Sequence, residues 1–183
     1  MVQVEFYQGA IEIGADDLES LKAIFFEASN RQEFSDEKEK KAFYETWTGY
    51  YLDVGGDSDV LLLKEAGEVQ GYLMGTAQSE GALDFYRYRV PSYAIFNDMF
   101  ADYPAHLHLN LSSEARNRGL GSYLMETYCE KLRADSIPGV HVVTSPDSRN
   151  SVFYQRAGFT HLEQRSLVGH SYLFLGKQFG VRQ

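Results

Sequence analysis

The stretch from Ala105 to Leu132 constrains the fold more than any other part of the chain. Ala105–Leu111 alternates strictly, with His106, His108 and Asn110 on one face and Leu107, Leu109 and Leu111 on the other. That period of two is the mark of a strand. The run Arg116-Asn117-Arg118-Gly119-Leu120-Gly121-Ser122 follows as a glycine-containing turn. A helix through Gly121–Arg133 then carries Leu124, Tyr128 and Leu132 along one stripe. A strand that leads through glycines into an amphipathic helix belongs to an α/β architecture.

The remaining pattern extends this reading. Residues 2–6 alternate as an edge strand. Asp16 caps a helix in which Leu18, Leu21, Ile24, Phe25 and Ala28 recur at helical spacing. A second helix is expected over Ser35–Leu52, ending before Gly55-Gly56. Val60–Lys64 and Val69–Ala77 flank Ala66-Gly67-Glu68 and read as a hairpin. Residues 82–103 are crowded with aromatics (Phe85, Tyr86, Tyr88, Tyr93, Phe96, Phe100, Tyr103) in an irregular segment broken by Pro91. Such a segment either packs a second small layer or walls a pocket. Val140–Thr144 is a short strand, and Ser148–Ala157 a short helix stopped by Gly158. Thr160–Leu167 and Ser171–Gln178 are two final strands around Gly169. The expected fold is α/β with a mixed sheet.

A chain of 183 residues suits one domain. Its single cysteine, Cys129, cannot form an internal disulfide, which favours a reducing cytoplasm. Cys129 reads as a small core residue on a helix. The N-terminus shows neither a basic segment nor an apolar signal core, and no run approaches the ~18 apolar residues that span a membrane. The net charge of −9 speaks against nucleic acid as a partner. It accommodates a cationic acceptor such as an amine, and it equally accommodates nothing beyond solubility, which is the default reading of such a balance. No Cys/His cluster suggests a metal site.

The chemistry concentrates in two segments. Glycines at 119 and 121 let the backbone curl so that several N–H groups point into one hollow, and the positive end of the following helix adds to it. The hollow suits a di-anion such as a pyrophosphate. It lacks the lysine of a nucleotide-hydrolysing Gly-x-x-x-x-Gly-Lys loop. The second segment, Asp147-Ser148-Arg149-Asn150-Ser151-Val152-Phe153-Tyr154-Gln155-Arg156-Ala157-Gly158-Phe159, places Tyr154 on a short helix that ends in Gly-Phe. Taken alone, the first is a helix start with two glycines and the second a core tyrosine beside a helix end. Their order, with one helix and one strand between them, is what joins them.

Together the two segments resemble the GNAT acetyltransferase superfamily. Its core pattern [Arg/Gln]-x-x-Gly-x-[Gly/Ala] is met by Arg116-x-x-Gly119-x-Gly121. The layout Tyr103-Pro104-Ala105…Leu111 with Ser145-Pro146-Asp147…Phe153-Tyr154 is also similar to the acetyltransferase-like domain of animal O-GlcNAc hydrolases, which suggests a stand-alone bacterial relative. The resemblance implies a single acetyltransferase domain over 1–183 with a splayed mixed sheet flanked by helices on both faces. Residues 1–104 would be acceptor-side elements, 105–159 an acetyl-CoA core and 160–183 the closing strands. It implies transfer of the acetyl group of acetyl-CoA to an amine by direct attack in a ternary complex. A catalytically silent CoA-binding or protein-interaction domain is the alternative, and homodimerisation is left open.

The same resemblance implies roles. Arg116 opens the motif, and backbone N–H groups of Arg118, Gly119, Leu120, Gly121 and Ser122 would hold the CoA pyrophosphate. Leu109, Asn110 and Leu111 would pair with pantetheine and hold the thioester oxygen. Tyr154 would stand near the sulfur and protonate the leaving thiolate. Family members usually carry Pro where Ser113 stands, and commonly Asn where Asp147 stands, which leaves Asn150 as an alternative CoA contact. Chemistry adds one more requirement. An alkylammonium titrates near ~10.4 and is almost wholly protonated at neutral pH, so a base, or water leading to one, should line the pocket. His106 and His108 either serve there or pack in the sheet, and His108 is the catalytic candidate.

Overall fold

The run Val60-Leu61-Leu62-Leu63 has no polar face, so it needs cover on both sides. The computed structural model, which describes residues 1–53 and 58–180, buries these four residues completely within β2 (Ser58–Glu65). β1 (Val2–Gln8) pairs antiparallel with β2, from Val2↔Glu65 to Gln8↔Asp59. β3 (Glu68–Thr76) follows β2 through Ala66-Gly67, both at positive φ (54° and 89°). Two left-handed residues match the twist of a two-residue hairpin.

The strand order is β1-β2-β3-β4-β5-β7-β6, a mixed seven-stranded sheet with helices. The chain divides into two compact units, 1–75 with 108–127 and 76–107 with 128–183. β4 (Ala105–Leu111) and α5 (Leu120–Ala134) each contribute one end to each unit.

In the first unit, α1 (Ala15–Ala28) buries Leu21, Ile24 and Phe25 at the spacing the sequence suggests. Asp16 is not its cap. Gly14 occupies that position in extended conformation, and Asp16 lies in the first turn, where a carboxylate still favours the positive helix end. The neighbouring Asp17 reaches across to β2, where its carboxylate and that of Glu5 hold Lys64 Nζ at 2.6 and 2.9 Å. α2 covers Glu37–Asp53 and starts two residues later than expected. Asp36 Oδ1 accepts the Glu39 N–H at 2.7 Å, while the Glu39 carboxylate accepts the Ser35 N–H at 2.7 Å. Asp36 is thus the capping residue. Gly55 and Gly56, expected to follow this helix, lie outside the described residues.

In the second unit, the aromatic stretch expected to be irregular is largely helical: α3 (Ser79–Tyr86), α4 (Pro91–Ala94) and a 3-10 turn at Asn97–Met99. Pro91 starts α4 instead of breaking the segment, since a first helical position needs no N–H donor. Tyr86, Tyr93, Phe96, Phe100 and Tyr103 are buried, so these rings pack a core. β5 (Gly139–Thr144) pairs in parallel with β4 through Ala105↔Val140 and His106↔His141, and antiparallel with β7 (His170–Gln178). β6 (His161–Leu167) closes the order on β7. The Tyr103 ring lies over Gly176, where an added Cβ would come within 2.6 Å of the ring. Any larger residue there would displace it.

Two imidazoles are sealed in this core. His141 is sandwiched between Phe100 and Phe174, at centroid distances of 5.2 and 4.8 Å, and its Nδ1–H donates to Tyr103 O at 2.8 Å. His106 Nδ1 lies 2.9 Å from Ser79 Oγ and 3.1 Å from Tyr93 OH. Both hydroxyls already donate, to Pro104 O and Ser79 O. The donor toward them is therefore His106 Nδ1–H.

The β6–β7 turn contains Val168 at φ 49° before Gly169 at φ 79°. This conformation costs a β-branched residue about 1–2 kcal/mol, and Val168 is 89% exposed, so no packing offsets it. Val168→Asn should stabilise the protein by about 1 kcal/mol, raising Tm by about 2–4 °C. A thermal melt that is unchanged or lower would show that the turn stores no such strain.

Candidate active site

The first unit holds His108 through Ser122. After β4, Ser112 N–H donates to Gln70 O at 2.9 Å, and Ser112 Oγ accepts the Ala115 N–H to cap a 3-10 turn at Ser113–Ala115. Arg116 is then extended, and Asn117 and Gly119 are left-handed at φ 60° and 79°. Alternation of hand turns successive N–H groups toward one side of the loop. The helix begins at Leu120, and Tyr123 N–H reaches back to Gly119 O at 3.0 Å. By helix geometry the N–H groups of Leu120, Gly121 and Ser122 point out of the end of α5 without intrahelical partners. Gly121, expected to help curl the loop, is already inside the helix, and the second residue that curls the loop is Asn117.

The arginines are engaged elsewhere. Arg118 makes a bidentate pair with Glu65, both distances 2.9 Å. Arg116 Nε donates to Leu111 O at 3.1 Å, and its Nη2 lies 4.0 Å from Glu27 Oε1. Glu27 also accepts the Ser113 N–H at 2.8 Å. Those two partners, Ser113 and Arg116, hold its carboxyl below the usual carboxylate range, the Ser113 bond contributing most. What remains for an anion is the backbone itself. Gly71 of β3 fits against this end of β4, because a Cβ there would stand 2.3 Å from Leu111 Cδ2 and 3.0 Å from Asn110 O. Nothing in the sequence pattern singles out Gly71, Glu27 or Glu65. The bonds that Glu27 and Glu65 make cross 86 and 53 residues of chain, and no local pattern announces such pairs.

His108 does not titrate usefully. Its ring stands edge-on to Phe25 and Tyr72, at centroid distances of 5.9 and 5.8 Å. Asn110 Nδ2 donates to Tyr72 OH at 2.7 Å and faces His108 Nε2 at 3.2 Å. Nε2 is thus the acceptor, and Nδ1 is buried with no hydrogen-bond partner among the described residues. Burial pushes the imidazole down to about 4. The expectation of a histidine titrating near neutrality is corrected on that ground: the basic lone pair is occupied and the charged form is excluded from water.

The second unit holds Asp147, Asn150 and Tyr154. Ser148 caps α6 (Arg149–Arg156), its Oγ accepting the Asn150 N–H at 3.1 Å, and both Asp147 and Asn150 are exposed. The helix ends as Gly158 implies. Gly158, at φ 90°, donates to Gln155 O, and Phe159 N–H reaches Tyr154 O, both at 3.0 Å. This pair of bonds is a Schellman ending, and it packs Phe159 against the Tyr154 ring at 5.4 Å. The Tyr154 ring is buried, which pushes the phenol up to about 12.

Three buried histidines make stability depend on acid. His106 lies well below its ordinary value of 6.5, and His108 and His141 near 4, burial being the main cause for each. The unfolded chain binds these protons at ordinary values while the folded chain does not. The stabilisation is therefore complete above about 6.5 and is lost as pH falls toward 4. Each of His108 and His141 should cost about 2 kcal/mol on going from pH 7 to 5. Urea unfolding at both values measures this, and His108→Gln should flatten the slope by about one proton. A pH-independent midpoint over that range contradicts it.

Comparison with known proteins agrees with this architecture. The sequence pattern of the acetyltransferase (GNAT) family matches residues 19–159. Solved structures of the same fold include SsHAT, 22% identical with a TM-score of 0.64, covering 96% of this chain and 98% of that one. An acyl-CoA N-acyltransferase from Pseudomonas aeruginosa is 17% identical with a TM-score of 0.60, covering 97% and 99%. A PaiA N-acetyltransferase from Thermoplasma acidophilum, solved with coenzyme A, is 15% identical with a TM-score of 0.61, also covering 97% and 99%. Among the described residues no helix is long and apolar enough to cross a membrane. With its family pattern matched over most of its length and its sheet order and helices in place, the chain belongs to the GNAT acetyltransferase family.

Proposed function

We propose that this protein transfers the acetyl group of acetyl-CoA to an amine by direct attack in a ternary complex. The observation that carries the proposal is the loop from Arg116 to Ser122, in which left-handed Asn117 and Gly119 lead into the open N-terminus of α5. Such a backbone fits a diphosphate without any lysine, because N–H groups and the helix end supply the positive potential. Membership of the family and the coenzyme A bound to the Thermoplasma acidophilum protein support the same cofactor.

In this reading the N–H groups of Arg118 to Ser122 bind the diphosphate, while the backbone of Leu109, Asn110 and Leu111 pairs with pantetheine. Acetyl-CoA supplies an activated thioester. A backbone N–H of β4 stabilises the oxyanion as the amine nitrogen bonds to the carbonyl carbon, a contribution of about 3–4 kcal/mol. The C–S bond then breaks, the thiolate gains a proton, and the ammonium proton leaves through water. His108 acts as a neutral group that positions Asn110. Tyr154, its phenol pushed up to about 12, keeps its proton at neutral pH and donates a hydrogen bond to the departing sulfur. Asp147 and Asn150 remain candidate contacts to the cofactor.

The acidic excess of the chain falls in residues 1–75 and 108–127, while the other unit is near balance. That distribution favours a cationic acceptor. A stand-alone bacterial relative of the O-GlcNAc hydrolase acetyltransferase-like domain remains part of the proposal, resting on Tyr103-Pro104-Ala105 and Ser145-Pro146-Asp147.

Acetyl-CoA and CoA should raise the melting temperature, and ATP should not. At 100 times its dissociation constant the ligand contributes about 2.7 kcal/mol. Equal stabilisation by ATP would remove the cofactor assignment. Binding without turnover on a panel of amines would leave a silent CoA-binding domain.

Tyr154→Phe keeps the ring packing and removes only the hydroxyl. Turnover should fall on the order of 10–100-fold with CoA affinity little changed. The loss should shrink as pH falls below the ~8.5 of a free thiol, since solvent then protonates the thiolate more readily. Unchanged turnover across the pH range would reduce Tyr154 to a packing residue.

A further inference from the structure

The turn that leads out of β4 depends on a carboxylate from another element. Glu27 stands in the last turn of α1, and its Oε1 accepts the Ser113 N–H at 2.8 Å and lies 4.0 Å from Arg116 Nη2. Arg116 is tied in turn to Leu111 O. One side chain of α1 therefore holds both ends of the segment that joins the strand to the diphosphate loop.

The backbone at this point is compatible with a proline. Ser113 is the first residue of the 3-10 turn, where a proline needs no N–H and its fixed φ is already suitable. Ser112, at φ −56° and ψ 155°, has the extended conformation required of a residue before proline. Serine does not enforce this conformation by itself, and it adds an N–H that needs a partner. Glu27 supplies that partner.

We propose that Glu27 is a positioning residue of the diphosphate loop, its carboxylate accepting a charge-assisted hydrogen bond from Ser113 N–H and so supplying the restraint that a proline at 113 would impose covalently. The bond makes the loop geometry depend on where α1 ends, so cofactor affinity and the placement of α1 are coupled. The inference rests on the reading of Arg116–Ser122 as the CoA site, and its test includes a measurement on the ligand-free protein.

Three variants are needed: Glu27→Ala, Ser113→Pro and the two combined. In ligand-free protein, amide hydrogen exchange over residues 112–122 should rise about fivefold to tenfold in Glu27→Ala. It should return to the parent level in the double variant, because proline restores the restraint and removes the orphaned donor. The affinity for CoA should weaken and recover in parallel, while Ser113→Pro alone stays within about twofold of the parent. Exchange and affinity unchanged in Glu27→Ala would overturn the proposal. So would a double variant no better than Glu27→Ala, which would make Glu27 a general support of α1. If the exchange pattern holds but the parent binds no CoA, the positioning role stands and the cofactor reading fails.

Discussion

The backbone N–H groups around Arg118 and at the start of α5 are the feature on which the rest of this site depends. They are available because the chain leaves β4 through two left-handed residues, Asn117 and Gly119, and enters α5 only at Leu120. A helix leaves its first N–H groups without internal partners, whereas a strand inside a sheet directs its own to its neighbours. The candidate site lies where one regime gives way to the other. Gly71 lets β3 approach Leu111 closely, and Ser112 bonds to Gln70, so the strand end that feeds the turn is fixed from the side.

Charge plays a smaller part there than the arginines suggest. Arg118 is matched by Glu65, and Arg116 is drawn toward Leu111 O and Glu27. Exposed pairs of this kind contribute at most about 1 kcal/mol each to stability. Their importance is geometric. A bidentate guanidinium–carboxylate pair fixes an orientation as well as a distance, and it pins the residue between the two left-handed positions.

The imidazoles show burial overriding intrinsic chemistry. His106 and His108 follow one another on the same face of β4, and either suits proton transfer by residue type alone. In the fold, His106 donates to hydroxyls whose own protons are committed, and His108 accepts from Asn110. Desolvation keeps both neutral. Tyr154 responds to burial in the opposite sense, since its neutral form is the one that can donate. The same physical effect thus weakens one catalytic candidate and suits another.

Local pattern determined the elements of this protein. Alternation set β4, left-handed residues set the hairpin turn at Ala66-Gly67 and the end of α6 at Gly158, and the glycine loop raised the expectation of an anion site. The aromatic stretch 82–103 was less legible, because rings that pack a core carry no period of their own and Pro91 starts a helix as readily as it ends one. The partners were decided only by the tertiary structure: Glu27 for Ser113, Glu65 for Arg118, Asn110 and Tyr72 beside His108. The physical reason is range. Backbone conformation and amphipathic period depend on neighbours within a few residues, whereas the state of a titratable or charged side chain depends on whatever the fold packs against it, here from up to 86 residues away.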